Sequence, residues 1–235
     1  MQGKGFGGKD ELMERKLQLS PLELFLAGKE IRFRLPPRLS SARELVEKQL
    51  ILLVQAAGYD QYQREILFCI HELVSNGFKA NLKRTFFRQK GLNIENMEDY
   101  RRGMEEFRTI LGTSPIHRED EALSFGNSSS WVKVKVHLKP KGLLLGVENN
   151  ETLHYYERLR ILDKENRSSR IQTVTELLLD SHDTEEGAGL GLLFLFYILK
   201  HRLPGSTFTI VTEPGITRME LWFPVTLSRG HKFFE

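Results

Sequence analysis

The chain has 235 residues, of which 40% are hydrophobic and 28% are charged, and this composition is typical of a soluble globular protein with a sizeable core. The formal net charge of +3 is too small to call for a nucleic-acid partner. A single cysteine excludes a disulfide framework within the chain, and there is neither a signal peptide nor an apolar run long enough to span a bilayer. We therefore expect a cytoplasmic protein without a membrane span.

The first predicted elements follow an N-terminal extension, residues 1–30, which begins with a glycine-rich stretch. The Ser20–Glu23 segment has the pattern of a capping box with proline at the first helical position, and it predicts a short helix. Ile31–Leu35 alternates apolar and basic residues and predicts a half-buried strand. A second capping box, Ser41–Glu44, predicts the start of a longer helix that ends at Gly58.

The strongest amphipathic helix pattern in the chain runs from about Tyr62 to Lys83. Its apolar positions follow the period of a helix packed on a core: Ile66, Ile70, Leu73, Val74 and Gly77. A polar stripe recurs at the same period on the opposite side: Glu72, Asn76, Lys79 and Lys83. A carboxylate, a carboxamide and an ammonium on one face can hold a metal ion and phosphates while keeping a base ready for proton transfer. The alternative interpretation is that this polar stripe is only the solvated side of a surface helix.

Residues 84–130 are polar and richly charged, and they are predicted to form an insertion on the domain. An amphipathic helix within it has Asn96 as its cap and an apolar stripe of Tyr100, Met104, Phe107 and Leu111. A connection of this length either folds on itself or binds something. Nearby acidic residues offset its basic ones, so we expect a solvated charged face rather than a nucleic-acid interface at Lys83, Arg84, Arg88, Lys90, Arg101 and Arg102.

The remaining strands are predicted in two hairpins. Trp131–Leu138 alternates apolar and polar residues and returns through Leu143–Val147 after a turn of hairpin length. Thr207–Thr212 and Thr217–Val225 form the second pair. Two hairpins indicate a mostly antiparallel sheet with helices on one face, so the predicted fold class is α+β, a two-layer α/β sandwich.

Between the hairpins, a short helix at Glu157–Lys164 and a polar loop at Asn166–Glu186 precede an apolar helix that begins near Leu190. Three alternating glycines stand before this helix: Gly187, Gly189 and Gly191. They would let backbone N–H groups approach an anion. The motif is neither a Walker loop nor a Rossmann fingerprint, and His71 and Glu72 lack the spacing of a zinc protease.

Taken together, these stretches resemble the histidine-kinase-like ATPase superfamily, whose members share the Bergerat-type ATP-binding fold. Glu72–Ala80 resembles its N box, Gly187–Leu192 is similar to its glycine box, and Asn166–Glu186 resembles its ATP lid. Thr217–Pro224 resembles its last strand, whose leading threonine helps bind adenine. The lead-in at Ile31–Gly58 is most similar to the anti-sigma-factor serine kinases.

The resemblance implies ATP and Mg as cofactors, Glu72 as the catalytic base and Asn76 as the magnesium ligand. The implied ATP-binding residues are Asn76, Lys79, Asn149, Gly187, Gly189, Gly191, Leu192 and Thr217.

The adenine box departs from the family pattern. Val147–Leu153 occupies its place, with Asn149 where the aspartate is expected and both glycines replaced. A neutral acceptor binds more weakly than a charged one, so we expect reduced or altered nucleotide affinity. A shift of one residue would make Glu148 the acceptor instead, but the alternation of the strand favours Asn149.

The sequence thus predicts an ATPase-like domain at residues 31–225, followed by a tail at 226–235. Its function would be that of an ATP-binding, Mg-dependent signalling protein, either a protein kinase or an ATP-gated regulator. The alternative is a catalytically degenerate binding module that acts through protein–protein contacts. A protein partner or phosphoacceptor would bind through residues 84–130, and both homodimerisation and enzymatic activity stay open.

Overall fold

The computed structural model describes residues 20–112, 129–182 and 190–228. The predicted phosphate-binding residues Gly187 and Gly189 lie outside the described residues. So do the glycine-rich start of the chain, much of the predicted insertion and most of the predicted C-terminal tail.

Five antiparallel strands form one sheet. They are β1 (Ile31–Arg34), β2 (Val132–Lys139), β3 (Gly142–Asn149), β4 (Thr207–Glu213) and β5 (Ile216–Pro224). Their order across the sheet is β1-β2-β3-β5-β4. Each predicted hairpin pairs as expected, since β2 pairs with β3 and β4 pairs with β5. The prediction of an α+β fold with an antiparallel sheet is confirmed.

The α-helices lie before the first hairpin and between the two hairpins. They are α1 (Pro21–Leu26), α2 (Leu39–Ala56), α3 (Gln63–Gln89), α4 (Met97–Gly112), α5 (Tyr155–Arg170), α6 (Val174–His182) and α7 (Leu190–His201). Among the described residues, no helix is both long and apolar enough to cross a membrane.

Helices cover one face of the sheet, and charged pairs occupy the other. The alternate residues of β2 on the helix side are all buried: Val132, Val134, Val136 and Leu138. The predicted apolar stripe of α3 is buried in the same core, and a Cβ added at Gly77 would lie 3.3 Å from Val132 Cγ1, so the helix packs very closely on the sheet. On the opposite face Lys135 binds Glu220 at 2.8 Å. The result is a two-layer sandwich.

The predicted start of α1 is confirmed, whereas the predicted start of α2 is wrong. Ser20 and Glu23 form both hydrogen bonds of a capping box. In α2, however, Arg38 is the N-cap residue, and the Ala42 N–H donates to the Arg38 carbonyl at 2.9 Å. Ser41 therefore lies inside the first turn, and its resemblance to a capping residue is fortuitous.

Helix α3 continues past its predicted end at Lys83 as far as Gln89. Phe86 and Phe87, each no more than 2% exposed, pack in one cluster with Met104 and Phe107 of α4. Burial against α4 stabilises the added turns, and this contact has no signature in the local sequence of α3.

The polar stretch predicted as a loop contains helix α6. Thr173 Oγ1 accepts a hydrogen bond from the Glu176 N–H at 3.1 Å, and the Glu176 carboxylate accepts one from the Gln172 N–H at 2.8 Å. Leu177 is fully buried against Ile171 and Leu193. Thr173 and Glu176 have the spacing of a capping box, a local signal that starts a helix within an otherwise polar stretch.

Candidate functional site

A cleft with a volume of about 140 Å³ opens between α3, α5 and the ends of β3 and β5. Five of the residues predicted to bind ATP line it: Asn76, Lys79, Asn149, Leu192 and Thr217. These five belong to four elements, α3, β3, α7 and β5, which are far apart in the sequence. The tertiary structure therefore brings most of the described predicted site residues to one place.

Asn149 and Thr217 form the floor of the cleft. They are direct partners across β3 and β5, and each is 3% exposed. Asn149 is also paired with the buried Val132, and residues that lie opposite each other in a sheet share a face. Glu148 therefore lies on the other face, where it binds Arg218 at 2.8 Å. The alternative register that would make Glu148 the acceptor is excluded.

Asn76, in the first half of the polar stripe of α3, lines one wall of the cleft. Asn76 Nδ2 is buried, and it has no hydrogen-bond partner among the described residues. A buried donor without a partner costs about 1–3 kcal/mol. Glu72, one turn earlier, is half-buried, and in the described part of the chain its carboxylate has neither a hydrogen bond nor an ion pair. This half of the helix retains unused capacity to bind a ligand.

Glu72 does not line the cleft itself, but it contacts the start of α7. A Cβ added at Gly191 would overlap the carboxylate oxygen Oε2 of Glu72. Only glycine at this position lets the start of α7 approach Glu72 without displacing that carboxylate. The two stretches that resemble the N box and the glycine box are therefore in direct contact at Glu72 and Gly191.

The second half of the α3 stripe has a different character, because its charges are paired within the chain. The Glu157 carboxylate accepts hydrogen bonds from Lys83 Nζ at 2.6 Å and from the Arg84 guanidinium through both of its oxygens. It also accepts one from the His154 N–H at 3.1 Å, which caps α5. Arg84 is 5% exposed and Glu157 is 8% exposed, so this ion pair is buried.

The electrostatics of this cluster favour an ionised Glu157. Burial alone would raise the pKa of its carboxyl group, but Lys83 and Arg84 outweigh burial and hold that pKa well below its usual range. Burial lowers the pKa of the Lys83 amine, and the nearby Arg84 and Arg160 lower it further, against the opposing effect of Glu157.

Side chains anchor the loop that follows β3. Arg84 donates to the Thr152 carbonyl at 2.8 Å, and Arg88 binds Glu151 at 2.8 Å. Thr217 Oγ1 donates to the Glu151 carbonyl at 2.7 Å. Contacts from α3 and β5 thus hold a loop that lacks both of the expected glycines.

The charged side chains that line the cleft are predominantly cationic. Six basic side chains contribute to it, Lys79, Lys83, Arg84, Arg108, Arg160 and Lys164, against two carboxylates, Glu151 and Glu157. Low-dielectric walls lined by one sign of charge focus the field and attract an anion.

The solvated charged face predicted around the start of the insertion is therefore only partly correct. Arg88, Lys90, Arg101 and Arg102 are exposed as expected. Lys83 and Arg84 instead point into the cleft region, because their partner Glu157 lies on α5, more than 70 residues later in the chain.

Helix α4 contributes its apolar stripe to the protein's own interior. Tyr100, Met104 and Phe107 are at most 7% exposed, and the last two line the cleft. The C-terminal turns of α3 cover these side chains, so they are not available to a partner protein, and the predicted partner at residues 84–130 stays a prediction.

The side chains of the cleft could bind magnesium only together with a phosphate ligand. Among the described residues, no group of three or more His, Cys, Asp or Glu side chains could hold a metal ion. Mg²⁺ is usually bound by one or two protein oxygens together with waters and substrate phosphates, and the Asn76 carboxamide can supply one of them.

Sequence reasoning missed three residues of the site: Asn81, Arg84 and Glu157. Asn81 accepts a hydrogen bond from Asn149 Nδ2 at 3.2 Å and donates one to the Trp131 carbonyl at 3.1 Å. No local signal could have identified these residues, since each acts through a partner far away in the sequence.

Comparison with known proteins yields one relative of unknown function. The chain is 32% identical over 177 residues to an uncharacterized protein of Treponema pallidum (strain Nichols). The match covers 73% of this chain and 33% of that protein, so the chain spans about one third of the length of its relative. No protein-family profile matches the sequence, and no solved structure matches it.

Proposed function

We propose that the protein binds ATP with Mg²⁺ in the cleft between α3, α5 and the ends of β3 and β5, and that it is a signalling protein of the histidine-kinase-like ATPase superfamily with the Bergerat-type fold. The observation that carries the proposal is the convergence of Asn76, Lys79, Asn149, Leu192 and Thr217 on one cleft. The five residues come from four elements that are far apart in the sequence, and each is one that the sequence resemblance implies for ATP binding.

The chemistry of the lining supports a nucleoside triphosphate as the ligand. Asn149 and Thr217 offer polar atoms on a buried floor, which suits the edge of a base. Lys79 and the other basic side chains would neutralise phosphate charge, and Asn76 would hold Mg²⁺. Bound magnesium would supply charge neutralisation between the phosphates.

Glu72 would serve as the base that orients or deprotonates the attacking group. Its carboxylate has no protein partner in the described part of the chain, and it lies against Gly191 at the start of α7. A general base must be free to accept a proton within reach of the reacting atoms. The acceptor would be a protein side chain or water, giving a protein kinase or an ATP-gated regulator.

Isothermal titration with ATP and Mg²⁺ tests the binding proposal. We expect heat of binding with the native protein and at least about tenfold weaker binding with Asn76→Ala, because a metal ligand is lost. Asn166→Ala, an exposed asparagine on α5, is the matched control and should bind like the native protein. Equal heats for native protein and Asn76→Ala would exclude the metal role, and no heat at all would exclude the proposed function.

The second candidate is a binding module that keeps the cleft but performs no chemistry. The observation in its favour is the loop at residues 150–154, where Arg84 and Arg88 anchor a segment without the family's glycines. Measuring ATP turnover and partner phosphorylation by the native protein and by Glu72→Ala separates the two candidates. Equal background rates despite bound nucleotide would favour the binding module.

A further inference from the structure

Asn81 does not line the cleft, yet it is hydrogen-bonded to Asn149 on the floor of the cleft. It is 8% exposed and bridges the Trp131 carbonyl and the Asn149 side chain. The consequences of this bridge follow from hydrogen-bond chemistry alone.

The Trp131 carbonyl oxygen can only accept a hydrogen bond. The Asn81 atom that contacts it must therefore be Nδ2, and the separation of 3.1 Å is that of a normal hydrogen bond. The Oδ1 atom of Asn81 must then be the one that faces Asn149. Since Oδ1 can only accept, Asn149 must donate to it through its own Nδ2, at 3.2 Å.

The same reasoning applies to Thr217, the neighbour of Asn149 on the floor. Its hydroxyl group has one proton, which it donates to the Glu151 carbonyl at 2.7 Å. Only lone pairs of Thr217 Oγ1 are left for another partner. Within the described structure, Asn149 Oδ1 likewise has no hydrogen-bond donor.

We propose that Asn81 is a positioning residue that holds the Asn149 carboxamide with its oxygen toward the ligand, so that Asn149 Oδ1 and Thr217 Oγ1 present acceptors and select a base with an exocyclic amino group. An uncharged asparagine could turn either end of its carboxamide toward a ligand, and the bond from Nδ2 to Asn81 fixes which end is the oxygen. The inference rests on the proposed function, because it concerns the base of the nucleotide that this cleft would take.

The test compares the binding of three nucleotides to the native protein: ATP, purine riboside triphosphate and inosine triphosphate. The second has hydrogen in place of the amino group, and the third has a keto oxygen there. We expect the loss of the amino group to weaken binding about tenfold, since a buried hydrogen bond is lost. The keto oxygen should weaken it about a hundredfold, because two acceptors would then face each other.

A pair of variants tests the role of Asn81. Asn81→Leu removes the anchor, so the Asn149 carboxamide can rotate, and the preference for ATP over inosine triphosphate should fall at least about fivefold. Asn81→Asp still accepts from Asn149 Nδ2 and should keep the native preference, even though it cannot donate to Trp131. Asn81→Ser is too short to reach Asn149, and it replaces Asn81→Leu if that variant does not fold.

The ratio of affinities is the decisive measurement, since a merely structural role of Asn81 would weaken all nucleotides equally. Equal binding of the three nucleotides to the native protein, or an unchanged ratio in both Asn81→Leu and Asn81→Ser, would overturn the inference while leaving ATP binding intact. Absence of binding by every nucleotide would instead contradict the proposed function itself.

Discussion

The two halves of helix α3 line the same cleft but differ in what they do with their polar groups. In the first half, the Glu72 carboxylate and Asn76 Nδ2 have no hydrogen-bond partner among the described residues. In the second half, Lys83 and Arg84 are bound to Glu157. Asn81, about one turn before them, is bonded on both sides.

The difference separates the groups proposed to bind a ligand from those that form the scaffold, along one continuous helix. Unpaired buried groups are costly, so they persist where a ligand can satisfy them. Paired groups rigidify their surroundings, and here Arg84 and Arg88 hold the loop after β3 in place. Substitutions of Glu72 and Asn76 should therefore change activity, whereas substitutions that break the pairing of Lys83 and Arg84 should change stability.

The largest expected effect is that of Glu157→Ala, which would leave Lys83 and Arg84 buried without their carboxylate partner. Breaking a buried ion pair from one side costs about 3–5 kcal/mol of unfolding free energy. Denaturant unfolding followed by circular dichroism measures it. Glu106→Ala, which removes an exposed partner of Lys90, is the control and should cost less than about 1 kcal/mol. Equal stability of the two variants would contradict the contrast between the halves.

The next effect is on catalysis and comes from Gly191→Ala. The added methyl group would displace the Glu72 carboxylate, which is the mobile end of a side chain, so the fold should be preserved. We expect ATP turnover to fall about a hundredfold, as when a general base is lost, with a much smaller change in ATP affinity. Gly146→Ala is a matched control, because its Cβ would make only ordinary contacts at 3.6 Å or more. Unchanged turnover in Gly191→Ala would remove Glu72 from the mechanism.

The third effect is a pH dependence of stability that originates in Glu157. Its folded-state pKa is lowered by Lys83 and Arg84 against the effect of burial, so its stabilising contribution is complete above the unfolded-state pKa of about 4.3. That contribution is lost as the pH falls below this value, by about 1.4 kcal/mol for each unit by which the folded-state pKa is depressed.

Unfolding of the native protein and of Glu157→Gln, measured between neutral pH and pH 2, checks this dependence. We expect the stability difference between them to be constant above about pH 5 and to shrink as the pH falls further, because glutamine does not titrate. A difference that stays constant down to the acid limit would show that Glu157 is not held ionised by its neighbours.

The smallest effect should come from Arg88→Ala. Arg88 pairs with Glu151 near the end of α3, but its side chain is 55% exposed, unlike that of Arg84 at 6%. Exposed pairs contribute about 0.2–1 kcal/mol. Chemical denaturation of Arg88→Ala and Glu157→Ala, compared side by side, shows whether burial or only the number of contacts determines how much each ion pair stabilises the protein. A loss comparable to that of Glu157→Ala would favour the number of contacts.

Much of the fold could be predicted, because the signals are local. The alternation of β2 and the two hairpin turns predicted the antiparallel pairing, and the period of α3 predicted its buried stripe. Where local signals failed, tertiary contacts were decisive. Phe86 and Phe87 extend α3 because α4 covers them, and Leu177 supports α6 because Ile171 and Leu193 surround it.

The candidate site could be predicted where a short motif carried it and not where distant partners did. Asn76, Lys79, Asn149, Leu192 and Thr217 were predicted from sequence resemblance and lie together in the cleft. Arg84 and Glu157 were not identified, since their pairing joins α3 to α5. The predicted phosphate-binding residues Gly187 and Gly189 fall outside the described residues and stay predictions.

The amino-acid sequence by itself determined the strands, the helix faces and the identity of the groups on the polar stripe of α3, since periodicity and residue type are local properties. The tertiary structure decided which of those groups are free and which are paired. It placed Glu157 against the second half of α3 and Gly191 against the first. It also oriented Asn149 through Asn81 and a backbone carbonyl, which no reading of the chain in one dimension could reveal.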